Sequence, residues 1–433
     1  MKRLIILLIF VLVITFTVQG QGTIFDTYEE EPLISMLSLI PIGSESVAYI
    51  DLQALENAGQ VPATVGDFSE IEADSVGARL WLWRSNRLVV GNFPMFQSLF
   101  VGGELFPETV GFDFFDIDRL ASFGLPPQTG QIFQGDFDLE AVEAAHTARD
   151  YTRENIRGLR AWCAPEGCDS GLMIDVQTRT TGNIFDPQLG RKPPVISYED
   201  YLLSAYDFGV VQTMASTVQA DFRSLAESPA HRAIADAVTD AELFPGDVIQ
   251  LLYVDQSETL DVDLSVFGSR EDYTYALENN LVNTPLAEQW QMYSALPVYE
   301  QAAFVDYHDG ENQKAVIAVA YRTQATAEAG AEELGRRIAT FSDEMVRRQT
   351  EPIVNNVLDA SVDAPQIYTS ARTGMFVVLV SVTYPLQDDL GASISRGDQR
   401  PGILYHNWVS SYYRRSFYPL WHITLPAWAR GGV

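Results

Sequence analysis

The sequence is poor in histidine, cysteine and positive charge. Its 433 residues include 5 histidines and 2 cysteines, and 28 Lys and Arg stand against 58 Asp and Glu, a formal net charge of −30. That excess repels nucleic-acid phosphates and anionic lipid surfaces, so nucleic acid is set aside as a partner. The histidines (His146, His231, His308, His406 and His422) form neither an H-x-H nor an H-E-x-x-H pattern, which leaves a zinc hydrolase without visible ligands. A G-x-S-x-G elbow, a phosphate-binding glycine loop and a dinucleotide fingerprint are all missing. No cofactor, metal or catalytic residue is therefore expected. After the first residues, no apolar run approaches the ~20 needed to span a bilayer.

The N-terminus is the exception. Lys2 and Arg3 precede an almost unbroken apolar run from Leu4 to Val18, followed by Gly20 and Gln21. A positive start, ~15 apolar residues and a small-residue exit are the parts of a secretory signal peptide. Residues 1–20 are read that way, with an uncleaved N-terminal anchor as the alternative and as the sole expected contact with a membrane. No cysteine follows the run, so a lipid-modified terminus is not expected. The expected location is extracytoplasmic: periplasmic, cell-surface or secreted. The remaining chain, with 47% apolar and 11% aromatic residues overall, is globular in composition. Cys163 and Cys168 flank Ala-Pro-Glu-Gly, which in an exported protein suits a local disulfide closing a tight loop. A metal site there would need two more ligands, and His146 is the nearest histidine in sequence.

A near-repeat organises the chain. Ile40-Pro-Ile-Gly-Ser-Glu-Ser-Val-Ala-Tyr-Ile-Asp51 and Phe244-Pro-Gly-Asp-Val-Ile-Gln-Leu-Leu-Tyr-Val-Asp255 share a proline, a glycine-bearing turn, an apolar strand and a Tyr-aliphatic-Asp ending. Tyr49 matches Tyr253, and Asp51 matches Asp255. The reading is α+β: two related modules of mostly antiparallel sheet with helices packed on one face, and a C-terminal aromatic extension. Its boundaries are an acidic lead-in at 21–39, a first module at 40–245, a second at 246–400 and a basic aromatic tail at 401–433.

Within this frame a short helix is expected at Asp51–Asn57 and a hairpin from Ala78 to Val90 carrying Trp81 and Trp83 on one face. A helix starts at Leu139, capped by Asp138, and a strand at about Gly158–Trp162 ends at the cysteine loop. Leu172–Val176 reads as a returning antiparallel strand. Phe208–Thr213 reads as a strand, then Val218, Phe222 and Leu225 at helical spacing, then a helix from Ser228-Pro229. In the second half, Ala302–Tyr307 and Lys314–Tyr321 face each other across Asp309-Gly310, a strong hairpin-turn pair. A long amphipathic helix follows, with Ala327, Ala331, Leu334, Ile338 and Phe341 on its apolar stripe, and Met375–Val382 is a further strand.

The tail holds no Asp or Glu and three arginines, so it carries +3 and the rest of the chain −33. Trp408, Tyr412, Tyr413, Arg414, Arg415 and Trp421 are its candidate partner-binding residues. The tail has three readings: packing back on its own body, contacting an unknown protein or other envelope partner, or lying at a membrane interface.

The stretch from Phe208 to Asp255, with Ser224-Leu-Ala-Glu-Ser-Pro-Ala-His-Arg-Ala-Ile-Ala235 and the Tyr-x-Asp strand, resembles a group of exported bacterial proteins of unknown function. Gly111-Phe-Asp to Asp118, followed by Gln131-Ile-Phe-Gln-Gly-Asp-Phe-Asp138, is similar in kind. The resemblance implies an extracytoplasmic protein built from repeated strand–helix units, and it carries no site residue.

Two fragments invite a catalytic reading and fail it. Ala144-Ala-His146 and Cys168-Asp-Ser-Gly171 look like pieces of a trypsin-like protease, but Cys168 and Leu172 replace the glycines that such a site needs around its serine. Asp306, Asp309, Glu311 and Asn312, and likewise Asp113, Asp116 and Asp118, lack the spacing of the twelve-residue calcium loop. The expectation is a non-catalytic binding or scaffolding protein of the cell envelope. The competing class is a secreted hydrolase with an unrecognised carboxylate pair.

Overall fold

A computed structural model describes residues 31–57, 103–185, 189–254, 296–341, 352–357, 359–385 and 402–413. The expected signal segment, the Trp81/Trp83 hairpin and the tail from Arg414 onward lie outside these residues.

The described chain runs α1 (Pro32–Leu39), β1 (Ala48–Asp51), α2 (Leu52–Leu55), α3 (Phe106–Val110), β2 (Ile117–Phe123), β3 (Gly130–Gly135), α4 (Leu139–Ala148), β4 (Thr152–Ile156), β5 (Leu159–Cys163), β6 (Val195–Tyr198) and β7 (Tyr201–Ala205). It continues with α5 (Phe208–Val218), α6 (Pro229–Val238), β8 (Asp247–Val254), β9 (Gln301–His308), β10 (Asn312–Tyr321), α7 (Gln324–Thr340), β11 (Ser361–Val362), β12 (Gln366–Thr369), β13 (Phe376–Pro385) and α8 (Ile403–Tyr413). The fold is α+β. Among the described residues 13 strands form one antiparallel sheet in the order β11-β13-β10-β9-β8-β1-β2-β3-β7-β6-β5-β4, with β12 also on β13.

The two halves meet at the centre of this sheet, where β1 pairs with β8 through Ala48↔Leu252, Tyr49↔Leu251 and Ile50↔Gln250. In the first half, β3 leads into α4, and the chain returns as β7 beside β3. In the second, β10 leads into α7 and the chain returns as β13 beside β10.

Helices cover both faces of the sheet. One core gathers Ile50, Leu252, Phe304, Ile317 and Val380 under α4, α7 and α8. The other gathers Leu251, Val305, Val316 and Leu379 under α1, α5 and α6. The expectation of one covered face describes α4 and α7 but not the whole. Residues facing both ways along β9 are buried, all eight of them, which is why these strands read as continuous apolar runs rather than alternating ones.

Three local expectations change. Phe208–Thr213 is the start of helix α5, because the Asp207 carboxylate accepts the Val210 N–H and caps it; the helix ends at Val218, and Phe222 is exposed. Leu172–Val176 is not a strand, and β5 pairs instead with β4 and β6. Part of the 21–39 lead-in is core: Pro32 opens α1, which buries Leu33, Ile34, Met36, Leu37 and Leu39.

Helix α8 packs its aromatics inward. Trp408 is 2% exposed and lies 6.3 Å from the Phe304 ring, with Tyr412 at 6.1 Å from the same ring. Truncating Trp408→Ala should lower unfolding stability by about 3–5 kcal/mol, read as a denaturant-midpoint shift at constant m. An unchanged midpoint would show that α8 is not part of the cooperative core.

Candidate docking surface

The loop between β5 and β6 combines a rigid base with an apolar tip. Its base begins at the Cys163–Cys168 disulfide, as the cysteine spacing suggested, with Cys163 buried. Inside that ring the Gly167 N–H donates to the Ala164 carbonyl at 2.9 Å, and just past it the Ser170 hydroxyl donates to the Gly167 carbonyl at 2.7 Å. Gly171 is wedged so tightly that a Cβ there would strike the Tyr206 carbonyl, and a Cβ at Gly190, which has a positive φ, would strike the Asp175 carbonyl. Tyr206 in turn donates its hydroxyl to the Phe185 carbonyl and carries the Arg191 guanidinium over its ring at 4.5 Å. Lys192 pairs with Glu166 at 2.9 Å across the base.

The tip projects from this base. Leu172, Met173, Ile174 and Val176 are 41%, 55%, 57% and 54% exposed, four of the nine large apolar side chains found exposed among the described residues. Its backbone is nonetheless tied down. The Met173 N–H donates to the Ser170 carbonyl at 2.9 Å, the Asp175 N–H to the Leu189 carbonyl at 3.1 Å, and Thr178 N–H to the Asp175 carbonyl at 3.0 Å. The Asp175 carboxylate turns back to accept the Gln177 N–H. Scattered apolar exposure is ordinary, whereas contiguous exposure on an ordered loop marks a contact surface.

An open cleft of about 470 Å³ lies on the same end of the sheet, between the turn 41–45, the β2–β3 turn and the first residues of α5. Glu45 and Asp207 line it, and none of its described lining residues is Lys, Arg or His. Asp207 is committed to its helix cap. Leu125, on the β2–β3 turn, is 40% exposed there.

The opposite end of the sheet carries a polar lock. Arg119 Nε donates to Asp51 at 2.9 Å, and its two Nη atoms reach Gln134 and Gln53 at 3.3 and 2.7 Å. Tyr49 donates to the same Asp51 carboxylate at 2.9 Å, and Gln134 continues to Asp200 at 2.7 Å. Burial, with help from the Asp51, Asp200 and Asp136 charges and against the pull of Arg119, raises the Asp118 carboxyl above its ordinary value. Burial and Asp118 raise Glu56 in the same direction. Each nitrogen of Arg119 already has a protein acceptor, so the cluster fastens strands rather than holding an anion.

The suspected catalytic fragments sit apart in role. His146 is fully buried, stacked 5.5 Å from the Trp162 ring, and donates Nδ1–H to the Val142 carbonyl at 2.8 Å in the tautomer this contact requires. Burial, then the nearby Arg149 charge, pushes its pKa down to about 3. Ser170 serves the loop base. The two acidic stretches are turn chemistry: Asp309 accepts the Glu311 and Asn312 N–H groups, and Asp113 and Asp116 form a reciprocal cap. Among the described residues no group of three or more His, Cys, Asp or Glu is gathered to hold a metal ion. Of the tail residues, Trp408 and Tyr412 are buried, Tyr413 is 40% exposed, and Arg414, Arg415 and Trp421 lie outside the described residues. The Leu172–Val176 tip was missed because five apolar-rich residues read as a strand. Its polar flanks, Asp169-Ser170 and Gln177 to Thr181, were the available sign of a loop.

Neither protein-family models nor curated proteins match the chain. Among solved structures it is similar to two crystal forms of TP0453. Form III has a TM-score of 0.30 and 8% identity over 83% of this chain and 97% of that one. Form I has a TM-score of 0.31 and 6% identity over 81% and 92%. Likeness at this level carries no functional argument.

Two outcomes follow from this geometry. His146 stays neutral in the fold while its unfolded form titrates near pH 6.5, so between those values the unfolded chain binds the extra proton. Its stabilising contribution is complete above about pH 6.5 and falls as pH drops toward 3. Denaturation midpoints measured from pH 7.5 to 5 should decline, and His146→Phe should flatten that decline; an equal slope in both proteins would refute the assignment. Separately, Cys163→Ser with Cys168→Ser should cost about 2 kcal/mol from the lost loop closure. Proteolysis should then cut first within 169–178, and a cleavage pattern identical to wild type would mean the disulfide does not brace the tip.

Proposed function

We propose that the chain is an exported, non-catalytic binding or scaffolding protein of the cell envelope that docks through the disulfide-braced Leu172–Val176 tip. The observation that carries this reading is the set of four neighbouring large apolar side chains held exposed on an ordered loop. Ordering such a loop has a conformational cost, and exposing aliphatic surface to water adds another; a contact partner offsets both. The disulfide suits an oxidising compartment. Among the described residues no helix is long and apolar enough to cross a membrane.

The same reading takes residues 40–245 and 246–400 as duplicated modules. What supports it is the shared order of three strands, a helix and a returning strand beside the third, with the matched Tyr49 and Tyr253 contributing to one core. A hydrolase would call for two carboxyl groups in a deep cleft with pKa values moved apart. Asp118 and Glu56 move in the same direction and stand outside the cleft.

The test is a photo-crosslinking residue placed at Met173 and, as a control, at exposed Phe222, in the exporting cell. A discrete adduct from position 173 and none from 222 is expected. If 173 yields no adduct, or the same adducts as 222, the tip is not a docking element.

A further inference from the structure

We propose that Arg149, Trp162 and His146 hold a hydrogen phosphate group, free or as a phosphomonoester, between the end of α4 and strand β5. This goes beyond the docking reading and does not depend on it.

The observation is a set of buried side-chain nitrogens that the protein leaves without partners. Arg149 Nε, Trp162 Nε1 and His146 Nε2 are all out of reach of solvent, and none makes a hydrogen bond among the described residues. Native interiors satisfy nearly all such groups, so three in one place call for a ligand. They belong to one contiguous packing group. The Trp162 ring lies against His146 at 5.5 Å, and Tyr151 stands edge-on to the same imidazole at 5.2 Å. The Arg149 guanidinium sits 4.9 Å over the Tyr151 ring.

Arg149 sets the charge of the ligand. A guanidinium drawn out of water is costly unless an anion accompanies it. Burial pushes Arg149 below its ordinary value, and the group that opposes this is Tyr151 rather than a carboxylate. The acids close in sequence do not serve. Glu143 reaches Arg153 and Arg160 at 3.8 and 4.0 Å, and Asp150 is exposed. The last carbonyls of α4 are taken as well, since those of His146 and Thr147 accept the Arg149, Asp150 and Tyr151 N–H groups. Water satisfies donors and acceptors, but it does not balance a positive charge. Guanidinium forks suit phosphate oxygens.

Trp162 and His146 set the ligand's protonation. The indole N–H is a donor only. His146 Nδ1 donates to the Val142 carbonyl at 2.8 Å, which makes Nε2 an acceptor. A group meeting all three nitrogens needs oxygens that accept and one O–H that donates. Inorganic phosphate keeps a proton throughout the neutral range, and a phosphomonoester keeps one below its second pKa of about 6. Sulfate and carboxylates carry none there and would set a lone pair against Nε2. A chain of net charge −30 does not steer anions inward, so selection rests on these contacts.

The experiment is calorimetric titration of inorganic phosphate into the chain from Gln21 onward, which retains every described residue. It is run at about pH 6.5 and fixed ionic strength, with sulfate and acetate as comparison ions. One saturable phosphate site per chain is expected, with the comparison ions weaker by roughly tenfold or more. Glycerol phosphate distinguishes the sources: tighter binding than inorganic phosphate identifies a phosphomonoester, weaker binding the free ion, and either supports the site. Arg149→Gln should abolish binding while leaving the phosphate-free melting temperature unchanged or higher, because an uncompensated buried charge is gone. The Trp162 indole N–H resonance, identified by its loss in Trp162→Phe, should move as phosphate is added. The proposal is overturned if phosphate does not bind, if sulfate binds equally, or if Arg149→Gln binds phosphate as the wild type does. Phosphate binding that leaves the Trp162 resonance in place overturns it too. None of these outcomes bears on the crosslinking at Met173.

Discussion

The whole sheet hangs on a four-residue strand. β1 lies between β8 and β2, and its pairing with β8 is the only described strand pairing that joins the first half of the chain to the second. All four of its residues are buried, with Tyr49 directed to one core and Ala48 and Ile50 to the other. A slip of one residue would exchange these faces and expose Asp51 to the wrong side, so the register is strongly specified. Asp51 also sets the strand's length. One carboxylate oxygen caps α2 through the Ala54 N–H at 2.8 Å, while the other takes Arg119 and Tyr49. Strand end, helix start and the tie to β2 are therefore fixed by a single side chain.

The same economy applies to the acidic residues more widely. Asp113, Asp138, Asp207 and Asp309 each accept backbone N–H bonds at helix starts or turns, and Glu227 closes the cap begun by Ser224. Glu333 is buried against Arg337 and also pairs with Arg336. Asp236 bonds both Arg232 and Ser370, joining α6 to the turn before β13 across the sequence. A high count of carboxylates is thus not a reservoir of catalytic candidates, because these ones have structural partners. The buried His146 is spent in the same way.

Much of this fold was legible because local and tertiary signals agreed. Asp309-Gly310 between two apolar runs became the β9–β10 hairpin, Asp138 capped α4, and the Ala327–Leu334–Ile338 stripe became the buried side of α7. What escaped were the places where they disagreed. Phe208 to Val211 carries β-favouring side chains, yet the Asp207 cap and the apolar spacing of Val211, Met214 and Val218 make a helix. The coverage of both faces was implicit in the unbroken run from Ala315 to Tyr321, since alternation disappears only when neither face meets water. Which helices supply the second layer is long-range information, and no local pattern holds it.

The aromatic tail and the β5–β6 loop exchange the roles that composition assigns them. Clustered Trp and Tyr with basic neighbours suggest a contact surface, but Trp408 and Tyr412 have a large apolar area and rings that interlock with Phe304, so burial stabilises them more than exposure could serve them. Leu172 to Val176 suggest a strand, but their neighbours on the sheet are already satisfied: β5 has β4 on one side and β6 on the other. With both sides of β5 taken, the segment that follows it leaves the sheet as a loop. Its Ser170 and Gly171 base is drawn into the body by the disulfide and the Tyr206 contact. The apolar side chains then have no interior to occupy. Exposure at this tip therefore goes with a strand β5 that is paired on both sides and a loop base that is tied to the body beneath it.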